Sequence, residues 1–235
     1  MATMLLKELG ERKILKCEHM TLFSKQFVNF YSLVLQNVDL TPSSVKFLRD
    51  FTLYNITVMN VSGITLNDFT NSLSDETFNN LHTLKLKNIF IDKKTKSSAI
   101  TALGRLQKLI HLDISYTNLN SDDLCQLVKS LHQVQYLDIS KTKVTDISCL
   151  LESWSNLRGL ILHNLKINRR RFVKQILLTI LELKELRVLD VSFLHSEVYA
   201  RFQFVKQFIG PDSLPHLQYL EMGNNPFELK ISEIR

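Results

Sequence analysis

The sequence predicts an α/β solenoid, in which short parallel strands line one side and helices pack on the other. A short apolar pattern recurs about eight times along the 235 residues. Successive copies lie about 27 residues apart, within the range of 20–50 residues that indicates a solenoid. The segments between the copies carry helical periodicity. Two neighbouring copies are nearly identical, "HLDISYTNL" from His111 and "YLDISKTKV" from Tyr136.

The repeated pattern fits the template Leu-x-x-Leu-x-Leu-x-x-Asn-x-Leu, whose positions are numbered here from one to eleven. This template and its spacing are typical of leucine-rich repeats. Position four is the central apolar residue of each predicted strand. In the eight copies it is occupied by Leu33, Ile56, Leu84, Leu112, Leu137, Leu160, Leu189 and Leu220. We therefore predict a leucine-rich-repeat solenoid with a curved parallel sheet inside and helices outside.

The segments between strands supply the crossovers that parallel strands require. "NSDDLCQLVKSLHQ" opens with Asn120 and Ser121, which are common at helix N-caps. Its apolar residues then follow helical spacing at Leu124, Leu127, Val128 and Leu131. Terminal repeats need a polar cap. We expect an N-terminal helical cap over residues 1–28 and the solenoid over 29–235.

Position nine usually carries an asparagine whose side chain bonds the turning backbone. Here Asn225 has that residue type, while Thr117 and Thr142 are partial substitutes and the other copies are apolar. The sequence therefore predicts that a polar ladder along the solenoid is largely absent.

Composition indicates a globular protein of a reducing compartment. Cys17, Cys125 and Cys149 are few, odd in number and far apart in sequence, so we expect no disulfide. Cys125 and Cys149 are predicted to be small buried residues. The N-terminus lacks the long apolar core of a secretory signal, and no run approaches the ~18 apolar residues of a membrane helix. We predict an intracellular protein, cytoplasmic, nuclear or both, with no membrane partner.

Catalytic and metal-binding patterns were sought without success. The chain has no C-x-x-C pair, H-x-x-x-H pair, phosphate-binding loop or G-x-S-x-G motif. His163 has no evident acidic or cysteine partner in the sequence. We therefore predict a protein that is not an enzyme and holds no cofactor or metal.

Binding is expected on the face of the sheet opposite the helices, which we call the open face and predict to be concave. Side chains at positions three, five and seven of each copy point toward it, because strand residues alternate. The face is basic in its earlier repeats and acidic in its later ones. The candidate protein-binding residues are Lys85, Lys87, His111, Asp113, Tyr136, Asp138, His163, Asp190, Tyr219 and Glu221.

Asp113 and Asp138 are predicted to lie on adjacent strands, about 4.8 Å apart. Like charges placed directly opposite are destabilising, so something should offset the repulsion. One explanation is hydrogen bonding by Ser115 and Ser140, which follow the two acids. The other is that the acids await a basic or amine-bearing partner.

A run of three cations, Arg169, Arg170 and Arg171, starts a predicted helix, where the helix dipole disfavours positive charge. A solvated charge run explains it most simply, and an anionic partner surface is the alternative. The net charge of +6 is also compatible with binding to nucleic acid. We expect none, because the basic residues form no stripe interleaved with aromatic residues.

Four consecutive repeats carry more than the generic pattern. The block "LDISKTKVTDI" is followed by "LRGLILHNLK" from Leu157 to Lys166, and later by "LRVLDVS" and "LPHLQYLEMGNN". This combination resembles the leucine-rich-repeat region of the Zyg-eleven/Zer-one family, the substrate receptors of cullin-2 RING ubiquitin ligases. The resemblance covers at least residues 106–225. The family's elongin- and cullin-binding box and its armadillo-like domain have no match in these 235 residues.

The resemblance implies a non-enzymatic scaffold within a substrate-recognition subunit. Its implied partners are ubiquitylation substrates, with cullin 2 and elongin B/C bound through other regions. The alternative is a generic leucine-rich-repeat binding module with an unrelated partner, such as an F-box-type receptor or a signalling scaffold.

Overall fold

The structure is a computed structural model that describes residues 31–165, 167, 170–194 and 213–223, with the backbone alone for 170–174. The predicted N-terminal cap, residues 1–28, lies outside these residues, as do Arg169 and Asn225.

One open sheet of parallel strands organises the described part of the chain. Its eight strands follow one another in sequence order, each paired with the next. This order confirms the predicted α/β leucine-rich-repeat solenoid. The strands are β1 (Ser32–Gln36), β2 (Asn55–Met59), β3 (Thr83–Lys87), β4 (His111–Asp113), β5 (Tyr136–Asp138), β6 (Gly159–Ile161), β7 (Val188–Asp190) and β8 (Tyr219–Glu221).

The strand register follows the sequence repeat. Every residue predicted at position four pairs with its counterpart in the next strand, from Leu33 opposite Ile56 to Leu189 opposite Leu220. A one-residue slip would carry a strand's apolar residues to the other face. The common register therefore keeps the position-four side chains in one buried row, of which Leu220 alone is only partly buried.

Helices occupy the crossovers on the other side of the sheet. A 3-10 helix spans Ser44–Asp50. The α-helices are α1 (Leu66–Thr70), α2 (Asp75–Asn80), α3 (Lys96–Leu103), α4 (Ser121–Ser130), α5 (Leu150–Ser153) and α6 (Arg170–Glu182).

Helix α4 begins where the sequence predicts it. The Asn120 side chain accepts a hydrogen bond of 3.0 Å from the Asp123 amide, and Asp123 accepts one of 2.9 Å from the Asn120 amide. This reciprocal capping box satisfies two amides that the first helical turn leaves unpaired. Leu124, Leu127 and Val128 then face the core.

The core is one continuous layer between the strands and the crossovers. Strand residues at positions four and six meet helix leucines from the same repeat and its neighbours. The single tryptophan, Trp154, is fully buried, and its indole N–H donates to the Leu131 carbonyl of the preceding repeat. Each repeat therefore covers apolar surface that its neighbour cannot bury alone.

The polar ladder is largely absent from position nine, as predicted, and a short asparagine ladder stands one position earlier. Position eight has a left-handed backbone in seven repeats, with φ between 52° and 59°. Asn37, Asn60 and Asn88 hold this position in the first three repeats, and asparagine tolerates that conformation well. The side-chain Nδ2 of Asn60 donates to Oδ1 of Asn37 at 3.1 Å, and Nδ2 of Asn88 donates to Oδ1 of Asn60 at 3.2 Å.

The expectation that the cysteines stay unpaired is wrong. Cys125 in α4 and Cys149 beside α5 form a disulfide with Cα atoms 5.6 Å apart. Their separation of 24 residues is close to one repeat, and one repeat along the chain is the nearest neighbour in space. Residues one repeat apart in sequence are neighbours in space, so a separation of this size favours pairing and does not exclude it.

Candidate protein-binding face

Five of the predicted binding residues meet in one cleft on the open face. The cleft has a volume of about 200 Å³ and spans strands β3 to β7. Its side-chain lining combines two acids, one lysine, two aromatic rings and two aliphatic residues around a glycine. These residues are Lys85, His111, Asp113, Tyr136, Asp138, Gly159, Ile161 and Val188.

The acidic pair sits at the centre of this cleft. Asp113 and Asp138 are direct partners in the register of β4 and β5. The Ser115 amide donates to Asp113 Oδ1 at 2.9 Å, and the Ser140 amide donates to Asp138 Oδ1 at 2.8 Å. Each acid therefore binds the main chain where its strand ends.

The serines thus act through their amides, whereas the sequence suggested hydrogen bonding without specifying the atom. The hydroxyls of both serines are buried, and that of Ser115 has no hydrogen-bond partner among the described residues. The Ser140 hydroxyl misses ideal hydrogen-bond geometry but lies close enough to Asp138 to lower the pKa of its carboxyl. The main-chain bonds hold the carboxylates in place but add no positive charge, so the repulsion between the acids is only partly offset.

The titration of the cleft residues reflects this crowding. Burial raises the pKa of the Asp138 carboxyl, and the neighbouring Asp113 carboxylate raises it further. Hydrogen bonding from Ser140 and the charge of Lys87 oppose these effects in part. Burial lowers the pKa of the His111 imidazole, and the nearby Lys85 charge lowers it further. His111 is therefore neutral at pH 7.

Two stacked rings form one wall of the cleft. The rings of His111 and Tyr136 are parallel within 1°, with centroids 4.3 Å apart. On its other side Tyr136 lies over Gly159, where an added Cβ would come within 2.5 Å of the Tyr136 ring. The glycine leaves room for the ring, and the histidine holds it in place.

Lys87 stands apart from the cleft, at the carboxyl end of β3. Its ammonium lies 4.8 Å from the centre of the Tyr116 ring, and that of Lys141 lies 4.6 Å from the same ring. Tyr116 is therefore held between two cations, an arrangement that each cation–π contact favours.

His163 and Asp190 belong to a separate hydrogen-bonded group. The Ser192 hydroxyl donates to Asp190 at 2.6 Å and lies 2.8 Å from His163 Nδ1. Since that hydroxyl gives its proton to Asp190, His163 acts as the donor to Ser192 and not as a base. The serine is also buried, so the group stabilises the end of β7 and does not resemble a nucleophilic triad.

The remaining predicted residues lie at the end of the described sheet and at α6. Glu221 accepts a 2.7 Å hydrogen bond from the Gly223 amide, as Asp113 does from Ser115. Tyr219 is 54% exposed beside it. Arg170 and Arg171 begin α6 as predicted, and the structure describes only their backbone.

A row of aromatic rings stands at position two of the first three repeats. The sequence analysis considered positions three, five and seven and did not predict it. Tyr31 stacks on Tyr54 at 4.7 Å, and Tyr54 lies 6.1 Å from His82. The sequence signal was present, since all three residues precede their strands by the same step. Tyr31 is 65% exposed, so the row is open to solvent at the first repeat.

The described residues contain neither a metal-binding cluster nor a helix that could span a membrane. No group of three or more His, Cys, Asp or Glu side chains is placed to hold a metal ion there. No described helix combines the length and apolar character needed to cross a membrane.

This fold, with charged and aromatic side chains on the open face of its sheet, defines a repeat-based interaction module of the leucine-rich-repeat class. Residues 125–232 match the family described as Zer-1-like, leucine-rich repeats. This match confirms the resemblance to the leucine-rich-repeat region of Zyg-eleven/Zer-one proteins.

Two known proteins add to this assignment. Gastrulation-defective protein 3 of Caenorhabditis elegans is 33% identical over 165 residues, which cover 68% of this chain and 22% of that protein. An internalin (InlF) of Listeria monocytogenes matches the fold with a TM-score of 0.55 at 19% identity, over 83% of this chain and 48% of the internalin. The chain thus spans about a fifth of the length of the curated relative.

Proposed function

We propose that this chain is the repeat region of a substrate-recognition subunit of a cullin-2 RING ubiquitin ligase. In this role it is not an enzyme: it binds protein through its open face, in an intracellular compartment that is cytoplasmic, nuclear or both. The observation that carries the proposal is the cleft between β3 and β7, where charged and aromatic residues converge on a face that no described element covers. The Zer-1-like family of residues 125–232 supports the ligase context.

The division of labour within the chain is part of the proposal. Residues 29–235 form the binding solenoid, and residues 1–28 form a helical cap over its first repeat. Cullin 2 and elongin B/C bind through regions other than the open face, and ubiquitylation substrates bind on it. Arg169, Arg170 and Arg171 offer a second, basic contact surface at the start of α6.

Affinity purification from cells that naturally express the protein tests the ligase role. The tagged protein, with every residue that its gene encodes, should recover cullin 2 together with elongin B and elongin C. Recovery of an F-box-type ligase or of a signalling complex instead would favour the generic binding module. Absence of cullin 2 and both elongins from a folded sample contradicts the proposal.

A matched variant separates the two kinds of partner. Asp138→Lys reverses a charge in the cleft and should release substrates while the cullin and elongins remain bound. Asp122→Lys makes the same change on an exposed helix residue and serves as the control. Reversal of all three arginines at the start of α6 tests the basic surface in the same way: unchanged recovery of every partner dismisses it.

A further inference from the structure

No described ion pair neutralises the two acids at the centre of the cleft on the open face. The described ion pairs of this part of the chain join Lys96 to Asp123 and Arg105 to Asp75. Neither Asp113 nor Asp138 takes part in a described ion pair, although they are adjacent and both are half-buried. Buried carboxylates are normally paired with a cation or with several donors.

The described hydrogen bonds of Asp113 and Asp138 leave acceptor sites of both carboxylates unused. Their described bonds use Oδ1 alone and come from the main chain. A carboxylate has two oxygens and about four acceptor sites, so the single described bond of each acid leaves most of its acceptor sites unused. The buried hydroxyl of Ser115 has no hydrogen-bond partner among the described residues, so polar groups beside the acids remain unsatisfied.

The rest of the lining favours a planar cation with an apolar stem. Tyr136 offers an aromatic wall, and its position is fixed by the His111 stack and by the missing side chain at Gly159. Ile161 and Val188 supply aliphatic surface next to it. A guanidinium bonds carboxylates with two parallel donors, which an ammonium does not.

The charges around the site agree with this chemistry. His111 is neutral at pH 7 and does not repel a cation. Lys85, paired with Asp113 in the register of β3 and β4, is the one cation in the lining and opposes a positive ligand. Lys87 acts on Asp138 from outside the cleft. With two acids and one lysine, the lining is negative overall.

The size of the cleft limits what it can hold. Its volume of about 200 Å³ is below the ~300–1,000 Å³ of sites for drug-sized ligands. It suits a single side chain presented by a larger molecule.

We propose that this cleft binds an arginine side chain of a protein partner, with the guanidinium on Asp113 and Asp138 and its stem against Tyr136. This inference deepens the proposed function by naming the chemistry of the substrate, and it rests on the open face being the substrate surface.

Binding is measured by NMR on the 235-residue chain labelled with ¹⁵N at glycine alone. The chain has 6 glycines, so the spectrum is simple, and Gly159 reports from inside the cleft. The Gly159→Ala variant identifies its signal by removing it. The probe is N-acetyl-argininamide, titrated to about 20 mM, because a single side chain binds weakly.

We expect a saturable shift of the Gly159 signal with the arginine probe. N-acetyl-citrullinamide, a neutral molecule of the same shape, should give no saturable shift. Asp138→Asn should abolish the shift, whereas Asp122→Asn on the outer side of α4 should leave it intact. Lys85→Ala should strengthen binding by about threefold, because it removes the cation that opposes the ligand.

Three results overturn the proposal: no saturable shift with the arginine probe, an equal shift with the citrulline probe, or an unchanged shift in Asp138→Asn. An equal response to N-acetyl-lysinamide overturns the preference for arginine. None of these results bears on recovery of cullin 2 and the elongins, so failure of the arginine site is distinguishable from failure of the ligase role.

Discussion

Asp113 and Asp138 lie directly opposite each other on neighbouring strands, and each carboxylate accepts a hydrogen bond from the main-chain amide two residues further on. The same bond recurs between Asp190 and Ser192 and between Glu221 and Gly223. The acid at position five therefore ends its strand in four repeats. In repeats four and five this local role places two negative charges side by side.

Replacing Asp138 with Asn should stabilise the chain at neutral pH. The amide oxygen still accepts the Ser140 amide, while the repulsion from Asp113 is lost. Opposed like charges on neighbouring strands are worth up to about 1 kcal/mol, which corresponds to a Tm increase of about 2–4 °C. Thermal melts followed by the fluorescence of Trp154 measure it. Asp122→Asn is the control, and a lower Tm for Asp138→Asn contradicts the prediction.

The gain from Asp138→Asn should depend on pH. Burial and Asp113 raise the pKa of Asp138 in the folded state, so between the unfolded and folded pKa values the folded chain binds more protons. The contribution of this group to stability therefore falls as pH rises through that window, which begins near the unfolded pKa of about 3.9. The Tm difference between the variant and the wild type should be near zero at about pH 3 and largest at pH 7. A constant difference at all pH values contradicts this origin.

Gly159→Ala should destabilise the chain although glycine usually weakens a strand. The added Cβ would lie 2.5 Å from the Tyr136 ring, and the His111 stack limits how far the ring can retreat. Overpacking of this kind costs about 1–3 kcal/mol, measured by urea denaturation. In the Tyr136→Ala background the same substitution should be neutral or stabilising. An equal cost in both backgrounds would show that the ring is not the cause.

Asn60 is the middle of the asparagine ladder, and its replacement separates backbone strain from hydrogen bonding. Asn60→Ala loses both bonds to Asn37 and Asn88 and puts alanine, which tolerates a left-handed backbone less well than asparagine, at φ 52°. We expect a loss of about 1–2 kcal/mol in unfolding free energy. Asn60→Gly accepts the backbone conformation and should recover more than half of that loss. Equal costs for Ala and Gly would assign the whole effect to the hydrogen bonds.

The Cys125–Cys149 bond should be detectable by counting thiols. Of the 3 cysteines, the unfolded oxidised chain should expose one to a thiol reagent, against three after reduction. A disulfide that closes a loop of this length contributes about 3 kcal/mol, so reduction should lower the Tm by about 10 °C. Cys17→Ser should leave that change intact. Disulfides are rare in reducing compartments, so inside the cell we expect the bond to form only on oxidation. Three free thiols in the air-oxidised protein contradict the pairing.

Particular residues show how far the sequence reached. Leu112 and Leu137 were assigned to neighbouring strands from spacing alone, and the structure places them in register. Asn120 was recognised as a helix cap from its residue type, and it closes a capping box. Both predictions depend on local pattern, which the backbone turns into structure without reference to distant residues.

Other features escaped because they depend on contacts between repeats. The Asn37–Asn60 bond joins residues 23 positions apart. The sequence does not predict it, because the repeat template places its asparagine at position nine and these residues stand at position eight. His163 was judged unpartnered, yet Ser192 of the next repeat lies against it. In each case the two partners lie one repeat apart, and predicting the contact requires knowing which residues of adjacent repeats stand side by side.

The sequence by itself determined the repeat period, the buried strand positions, the helical crossovers and the acids on the open face, because apolar periodicity fixes which side of each element faces the core. The tertiary structure decided which side chains meet across repeats: the disulfide, the asparagine ladder, the Tyr136 ring over Gly159 and the cleft around Asp138. The physical reason is that these contacts depend on rotamers and on spacing between strands, which stacking sets and a linear pattern does not encode.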